Sequence, residues 1–212
     1  VIRRAPGTPL TFVHIVEAAE ANHVALQCVL NEARLNLSEL RNDRRGAPYY
    51  CEVLDNEHVF LSATDEGSLS CAVCVRTDEK SALAGLGIDI AKVAEFEDEK
   101  SLRVMSRRLL VYEECKLLQG LDPSFRPQML ATMFSVREAA VKSIADQVRN
   151  YEDGGATLCG MNLTDFMVLA NENGQVGVSP RGEAVLRLIG VSTIEAAWDW
   201  CEGYVAATAI AL

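Results

Sequence analysis

Hydrophobic and polar positions along the chain follow two different periods, which predicts both helices and strands. In residues 9–35 the apolar positions have a spacing closer to 3.6 than to 2, so one or two helices are predicted there. The polar segment 41–48, with its Gly and Pro, predicts a loop. Three apolar runs separated by polar turns then predict one small antiparallel sheet, with strands at 59–63, 69–75 and 83–90.

The second half of the chain shows a similar order. Residues 98–149 are predicted to be mostly helical, with an interruption at 121–124. After 153–155, the pattern predicts strands, a turn and a short helix: strands at 163–170, 175–178, 191–197 and 204–211, a turn at 171–174 and a helix at 180–189.

Because helices and antiparallel strands recur, we predict an α+β fold of two similar lobes related by a pseudo-twofold axis. Each lobe would be a small antiparallel sheet packed against a long helix, the first over residues 1–97 and the second over 98–212. A cleft between two lobes is a common place for a binding site.

Composition excludes several classes of function. A chain of 212 residues with 49% hydrophobic residues can bury a sizeable core. It has no apolar run of about 20 residues and no signal-peptide pattern, so we expect a cytoplasmic protein without membrane attachment. A net charge of −10 argues against binding to nucleic acid, which requires a basic surface.

The seven cysteines are scattered and mostly surrounded by apolar residues, so we interpret them as reduced core residues. Cys71 and Cys74 have C-x-x-C spacing, which also occurs in metal and redox sites. We favour a buried strand there, because no second ligand pair with zinc spacing follows. Trp198 and Trp200 are interpreted as packing residues.

Three charged residues are candidates for chemistry. Asp89 follows the apolar residues Gly87 and Ile88, and a buried carboxylate needs a cation or hydrogen-bond donors to offset its desolvation. The alternative is that Asp89 caps the next helix. Glu138 and Lys142 are four residues apart on one helical face; the alternative for them is a surface ion pair.

These residues resemble the signature of the 4'-phosphopantetheinyl transferase superfamily. That signature is Gly-Ile/Val-Asp followed by aromatic-Ser/Ala-x-Lys-Glu-x-x-x-Lys, and here it reads Gly87-Ile88-Asp89 and Phe134-Ser135-Val136-Arg137-Glu138-Ala139-Ala140-Val141-Lys142. The segments 46–49 and 61–67 are similar to two further elements of the family, a Gly-Lys-Pro and a Ser-x-Ser-His element. The resemblance extends over about residues 45–212.

The resemblance implies transfer of the 4'-phosphopantetheine arm of coenzyme A to a serine of an acyl, peptidyl or polyketide carrier protein, with release of 3',5'-ADP. This is the activity of a holo-[acyl-carrier-protein] synthase. It implies Mg2+ held by Asp89 and Glu138, because a divalent ion neutralises charge on phosphoryl oxygens. Glu138 would accept the serine proton, and Lys142 would balance or protonate the departing 3',5'-ADP.

The resemblance also implies positions for coenzyme A and the carrier. The coenzyme would contact a mixed set of residues: Arg44, Arg45, Pro48, Thr64, Asp65 and Lys142. The carrier would dock on Arg103, Arg107 and Arg108; the alternative is an ordinary exposed helix face.

The chain departs from the family pattern at several positions. Asp65 replaces a usual histidine and Ala47 a usual lysine, so both changes remove positive charge. Arg41, Arg44 and Arg45 would take over that role or else form a solvated loop. Arg137 replaces the usual lysine, and Ala91 stands where larger members have a third acid.

Two other functions remain open. The changes at Asp65 and Ala47 favour a catalytically impaired homologue that binds a carrier protein or coenzyme A without transfer. An acidic interaction module unrelated to the family would require the spacing of Asp89, Glu138 and Lys142 to be chance. The start at Val1 indicates a processed chain or an excised domain, and the latter fits a domain of, or partner to, a polyketide or fatty acid synthase.

Overall fold

A computed structural model describes most of the chain. The described residues are 11–17, 21–42, 48–50, 58–77, 83–148, 161–168 and 176–212. The strands are β1 Thr11–Glu17, β2 Leu40–Asn42, β3 Pro48–Tyr50, β4 His58–Glu66, β5 Leu69–Thr77, β6 Gly85–Lys92, β7 Phe166–Met167, β8 Gly177–Val178, β9 Ile194–Cys201 and β10 Tyr204–Ala211. The helices are α1 Ala21–Glu32, α2 Glu99–Leu109, α3 Tyr112–Gly120, α4 Arg126–Ser143 and α5 Pro180–Leu188. Small antiparallel sheets and one long helix, α4, confirm the predicted α+β class.

The first sheet has the strand order β1-β5-β4 and packs against α1. The prediction of helix was wrong for β1, which pairs antiparallel with β5 from Thr11 opposite Val75 to Glu17 opposite Leu69. Four of its seven residues are β-branched, and pairing with β5 satisfies the backbone groups along one edge of the strand. The helical period holds only from Ala21 onward, where α1 begins.

The second sheet has the strand order β6-β10-β9. The prediction that β6 would share a sheet with β4 and β5 was wrong, because β6 pairs along its length with β10, with Asp89 opposite Ala207. β4 packs against β6 without a ladder: the backbone N–H of Ile88 donates to Ser62 Oγ at 3.1 Å. An apolar run predicts a buried strand, but it does not specify the strand's partner.

Helix α4 packs directly against β6 and β10. Its approach to β6 depends on two glycines. A Cβ atom at Gly85 would overlap the carbonyl oxygen of Ser143, and one at Gly87 would overlap the carbonyl oxygen of Ala139. Because Gly85 and Gly87 have no side chains, the backbones of β6 and α4 can approach each other closely there.

The elements after β6 largely follow the sequence pattern. Helix α3 ends at Gly120, and α4 begins at Arg126 after a short 3-10 turn, which confirms the interruption predicted at 121–124. Helix α5 is also confirmed, with Ser179 accepting a hydrogen bond from the N–H of Gly182 at its start. The strand predicted at 163–170 is shorter, because Leu163–Asp165 form a 3-10 turn. The predicted turn at 171–174 lies outside the described residues.

The interpretation of the cysteines as buried core residues is confirmed for Cys71 and Cys74 but wrong for Cys201, which is exposed at the end of β9. Cys71 faces the core beneath β6, whereas Cys74 faces α1, so the C-x-x-C pair points to opposite sides of β5. Burial raises the pKa of both thiols to about 12. In the described part of the chain, no helix combines the length and the apolar character needed to cross a membrane.

Candidate active site

Asp89 lies inside β6 and is 6% exposed. Side chains alternate along a strand, so Asp89 shares the face of Gly85 and Gly87, which is the face that α4 covers. The alternative of a helix cap does not hold, because Lys92 occupies the position before the next turn of helix. The glycines therefore bring the carboxylate of Asp89 close to α4.

Lys142, near the end of α4, joins that helix to β6 and β4. Its Nζ atom donates to Asp89 Oδ1 at 2.7 Å, to the carbonyl oxygen of Ile88 at 3.1 Å and to Thr64 Oγ1 at 3.2 Å. Thr64 Oγ1 also lies 3.4 Å from Asp89 Oδ1. The structure thus brings together three of the predicted site residues, and Lys142 is not merely half of a surface pair with Glu138.

The second oxygen of Asp89 is in a different situation. Asp89 Oδ2 is buried and has no hydrogen-bond partner among the described residues, and the same is true of Ser135 Oγ. Burial raises the pKa of Asp89 above its ordinary value, and Lys142, followed by Ser135 and Thr64, lowers it by less.

Glu138 lies one helical turn before Lys142 and is half-buried. Burial raises its pKa most, the charge of Asp89 raises it further, and Lys142 lowers it. The two carboxylates are therefore within electrostatic range of each other. Two carboxylates, one with an unpaired buried oxygen, fit the preference of Mg2+ for oxygen ligands. Among the described residues, no three His, Cys, Asp or Glu side chains gather in a metal-binding group.

A negatively charged region borders these residues and was not predicted. The pKa of Glu66 is raised by burial and then by the charges of Glu95, Asp89 and Asp65, while Lys92 lowers it. Glu66 follows Thr64 by two residues in β4, so strand alternation was the signal that could have identified it. Asp65 is exposed and, by the same alternation, lies on the opposite face from Thr64.

The remaining predicted coenzyme A residues lie in the segment before β4. Pro48 begins β3, and β3 packs on β4. Arg44, Arg45 and Ala47 fall outside the described residues. Arg41 bonds locally, since its Nη1 donates to the carbonyl oxygens of Ser38 and Leu40.

Arg137, the cation of the motif that precedes Glu138, is completely buried and forms an ion pair with Glu114 of α3. Sequence reasoning did not identify Glu114. The only signal was its place in the first turn of α3, where Glu114 Oε2 accepts from the N–H of Val111 at 3.0 Å. Burial lowers the pKa of Arg137, and Glu114 raises it.

The arginines predicted to bind a carrier lie on α2. Arg103, Arg107 and Arg108 are all exposed, and exposed Lys100 precedes them on the same helix. The helix begins at Asp98, whose Oδ2 accepts from the N–H of Ser101 at 2.8 Å. The exposed side of α2 is therefore strongly basic in a chain whose net charge is −10.

Comparison with known proteins identifies the family. The family model of the 4'-phosphopantetheinyl transferase superfamily matches residues 85–209, more than half of the 212-residue chain, and the match includes Asp89, Glu138 and Lys142. The chain belongs to this superfamily. No curated protein sequence matches the chain.

Similar solved structures include three holo-[acyl-carrier-protein] synthases. The one from Neisseria meningitidis is 20% identical with a TM-score of 0.48, and the match covers 61% of this chain and 98% of that one. For the one from Plasmodium yoelii the identity is 17%, the TM-score 0.47 and the coverage 61% and 94%. For the Helicobacter pylori structure in complex with coenzyme A they are 14%, 0.43, and 60% and 99%.

Proposed function

We propose that the chain transfers the 4'-phosphopantetheine arm of coenzyme A to a serine hydroxyl of a carrier protein, with release of 3',5'-ADP. The observation that carries the proposal is the arrangement around Asp89. One carboxylate oxygen is bound by Lys142, the other is buried without a partner in the described part of the chain, and the charge of Glu138 is close by. All three residues fall within the match to the transferase family.

The bond changes define what these residues must do. The serine oxygen attacks the phosphorus of the phosphopantetheine group, and the bond from that phosphorus to the bridging pyrophosphate oxygen breaks. The serine proton goes to the carboxylate of Glu138, whose raised pKa makes it a better base than an ordinary glutamate. The Lys142 side chain is one-third exposed, so its ammonium group would exchange one of its present hydrogen bonds for one to the departing 3',5'-ADP, or give that group its proton.

We further propose that Asp89 and Glu138 would hold Mg2+, which when bound would neutralise charge on the pyrophosphate oxygens. The unpaired Asp89 Oδ2 supports this assignment. An unpaired buried carboxylate oxygen is costly, and a bound cation would offset that cost. Thr64 fixes Asp89 by contacting the oxygen that faces Lys142, which leaves Oδ2 free.

We assign the carrier-protein site to the exposed basic side of α2. Carrier proteins are commonly acidic, and the overall negative charge of this chain would repel them unless positive charge is concentrated locally. Arg103, Arg107 and Arg108 supply that local charge. We expect the carrier to belong to polyketide or fatty acid biosynthesis, and we expect the chain to act in the cytoplasm.

The experiment incubates an apo-carrier protein with this chain, coenzyme A and Mg2+ and measures the carrier by intact-protein mass spectrometry. We expect the carrier to gain the mass of one phosphopantetheine group, and we expect Glu138→Ala to abolish the gain. The matched control is Glu183→Ala, an exposed acid on α5, which should leave transfer unchanged. A wild-type chain that transfers nothing to any apo-carrier would refute the proposal.

One observation favours a second candidate, a homologue that binds without transferring. The charges of Glu66, Glu95 and Asp89 act on one another, and this negative charge near the site disfavours the phosphates of coenzyme A. Calorimetry separates the two candidates. A transferase takes up coenzyme A in a Mg2+-dependent manner, whereas an impaired homologue that only binds a carrier shows no such uptake.

A further inference from the structure

A buried ion pair joins Arg137, the residue before Glu138, to Glu114 of α3. In the described part of the chain, neither residue of the pair forms a hydrogen bond with Asp89 or Lys142. Glu114 and Arg137 both have fully buried side chains. Their remaining polar atoms are used as well: Glu114 Oε1 accepts from the N–H of Val168 at 2.6 Å, and Arg137 Nε donates to the carbonyl oxygen of Leu163 at 3.1 Å. The pair therefore connects α3, α4 and the segment 163–168.

Net stability does not explain such a pair well. The cost of removing two charges from water often equals or exceeds their attraction, so an apolar pair of similar size is frequently as stable. A fully hydrogen-bonded ion pair does, however, fix the orientation of the elements that carry its two side chains. Arg137 also donates from Nη1 to the carbonyl oxygen of Met133 at 3.0 Å, so its guanidinium is held against its own helix. The position of Glu114 thereby fixes how α4 is rotated about its axis.

The rotation of α4 decides where the active-site residues point. Consecutive residues of a helix are about 100° apart, so Arg137 lies roughly opposite Ala139, whose carbonyl contacts Gly87 of β6. The helix is thus fixed from two sides: the glycines set its distance from Asp89, and the ion pair sets its rotation. Glu138 and Lys142 lie on the face of α4 between the directions of these two contacts.

We propose that Glu114 and Arg137 are positioning residues of the active site. They hold α4 at the rotation that turns Lys142 and Glu138 toward Asp89. The inference rests on the proposed function where it concerns catalysis. The contact between Lys142 and Asp89, however, can be measured without any catalysis.

The first test is a double-mutant cycle on stability. Asp89→Asn and Lys142→Met are combined in the wild-type background and in the variant Glu114→Leu/Arg137→Met, and unfolding by denaturant is measured. In the wild type we expect a coupling of about fivefold in the unfolding equilibrium constant. In the apolar background we expect the coupling to disappear although the protein stays folded. The control background is Glu183→Gln/Arg187→Lys, which alters an exposed pair on α5 and should preserve the coupling.

A folded apolar variant that keeps the full coupling would overturn the proposal. If the apolar variant does not fold, Glu114→Gln replaces it. This variant keeps the shape of the side chain but removes the carboxylate charge that holds Arg137. The expectation and the refuting outcome are then the same as for the apolar pair.

The second test measures transfer. In Glu114→Gln we expect kcat to fall about tenfold or more, because a small misplacement of a catalytic group is costly. The KM for the carrier protein should change by less than about twofold, because α2 is unaltered. An unchanged kcat, or an equal change in KM, would refute the positioning role. A wild-type chain without transfer activity would refute the proposed function instead, and the stability cycle would still decide the positioning.

Discussion

Asp89 has two carboxylate oxygens in different surroundings, and the chemistry of the site depends on this difference. Oδ1 is bound by Lys142 and lies near Thr64, whereas Oδ2 is buried without a partner among the described residues. An oxygen bound by a cation keeps the group charged, and a free oxygen leaves it able to bind another cation. Lys142 thus holds the side chain of Asp89 in place through Oδ1, and Oδ2 can bind a cation.

At the residue scale, Glu138 gives a prediction about pH. Its pKa is raised in the folded state, so folding takes up a proton between the ordinary value of 4.5 and the raised value. The charged carboxylate therefore lowers the free energy of unfolding at neutral pH. We expect Glu138→Gln to increase that free energy at neutral pH, by less than about 1 kcal/mol because the half-buried group is partly solvated.

This advantage of Glu138→Gln should vanish as the pH falls below 4.5, where the wild-type carboxyl is protonated in both states. Urea unfolding at a series of pH values measures both quantities. Glu183→Gln, at an exposed position, is the control. A variant that is less stable than the wild type at neutral pH would contradict the stated cause of the shift.

The sequence specified the acidic residues and the lysine, because the chemistry of the motif requires those types. It did not specify which other charged residues surround them. Glu114 and Glu66 come from segments distant from the motif, and only the fold places Glu114 against Arg137 and Glu66 near Asp89. The predicted roles of Pro48 and Asp65 in binding coenzyme A remain predictions.

At the scale of elements, the contact between α4 and β6 is the central feature. It was not predictable from hydrophobic pattern, which identified both elements correctly but assigned β6 to the sheet of β4 and β5. The partner of β6 is β10, which comes much later in the chain, and local patterns carry no information about such pairing. For β1, the pairing with β5 likewise outweighed an apparent helical period.

Gly87→Ala tests this contact. The added Cβ would overlap the carbonyl oxygen of Ala139, which is backbone and cannot move aside cheaply. We expect a loss of about 3 kcal/mol in the free energy of unfolding, together with loss of transfer activity as α4 moves away from Asp89. Chemical denaturation and the transfer assay measure the two effects.

Gly120→Ala is the matched control, because a Cβ atom at Gly120 meets no atom of the described structure within 4 Å. Gly120 is the last residue of α3, so alanine there should be neutral or stabilising by up to about 1 kcal/mol. Equal effects of the two substitutions would mean that the α4–β6 contact is not tight.

The basic side of α2 gives a second prediction at this scale. Replacing Arg103, Arg107 and Arg108 together by glutamate should raise the KM for the carrier protein at least about tenfold, because it reverses the charge of the proposed docking surface. The KM for coenzyme A should be unchanged. Transfer kinetics at two salt concentrations measure the effect, which should weaken at high salt. An equal rise in both KM values would argue against docking on α2.

At the scale of the whole molecule, net charge constrains the proposed binding of coenzyme A. The chain carries −10, and coenzyme A is itself an anion, so binding requires local positive charge. In the proposed site, Lys142 would supply part of it and Mg2+ would supply another part. The division into lobes at 1–97 and 98–212 remains a prediction.

Thermal unfolding tests this requirement. Mg2+ and coenzyme A together, at about 100 times the dissociation constant, should stabilise the protein by about 2.7 kcal/mol. Coenzyme A without Mg2+ should stabilise it much less, and Asp89→Asn should lose the difference. Equal stabilisation with and without Mg2+ would show that no metal takes part in binding.

The pairing of β6 with β10 also has a consequence for biosynthesis. Asp89 leaves the ribosome long before Ala207, the residue opposite it in the sheet. Until then β6 has no ladder partner on that side, and closing so long a segment is entropically slow. A nascent chain stalled before β10 therefore leaves the N–H and C=O groups along that edge of β6 unpaired and open to chaperones, and the candidate site forms only once β10 has emerged.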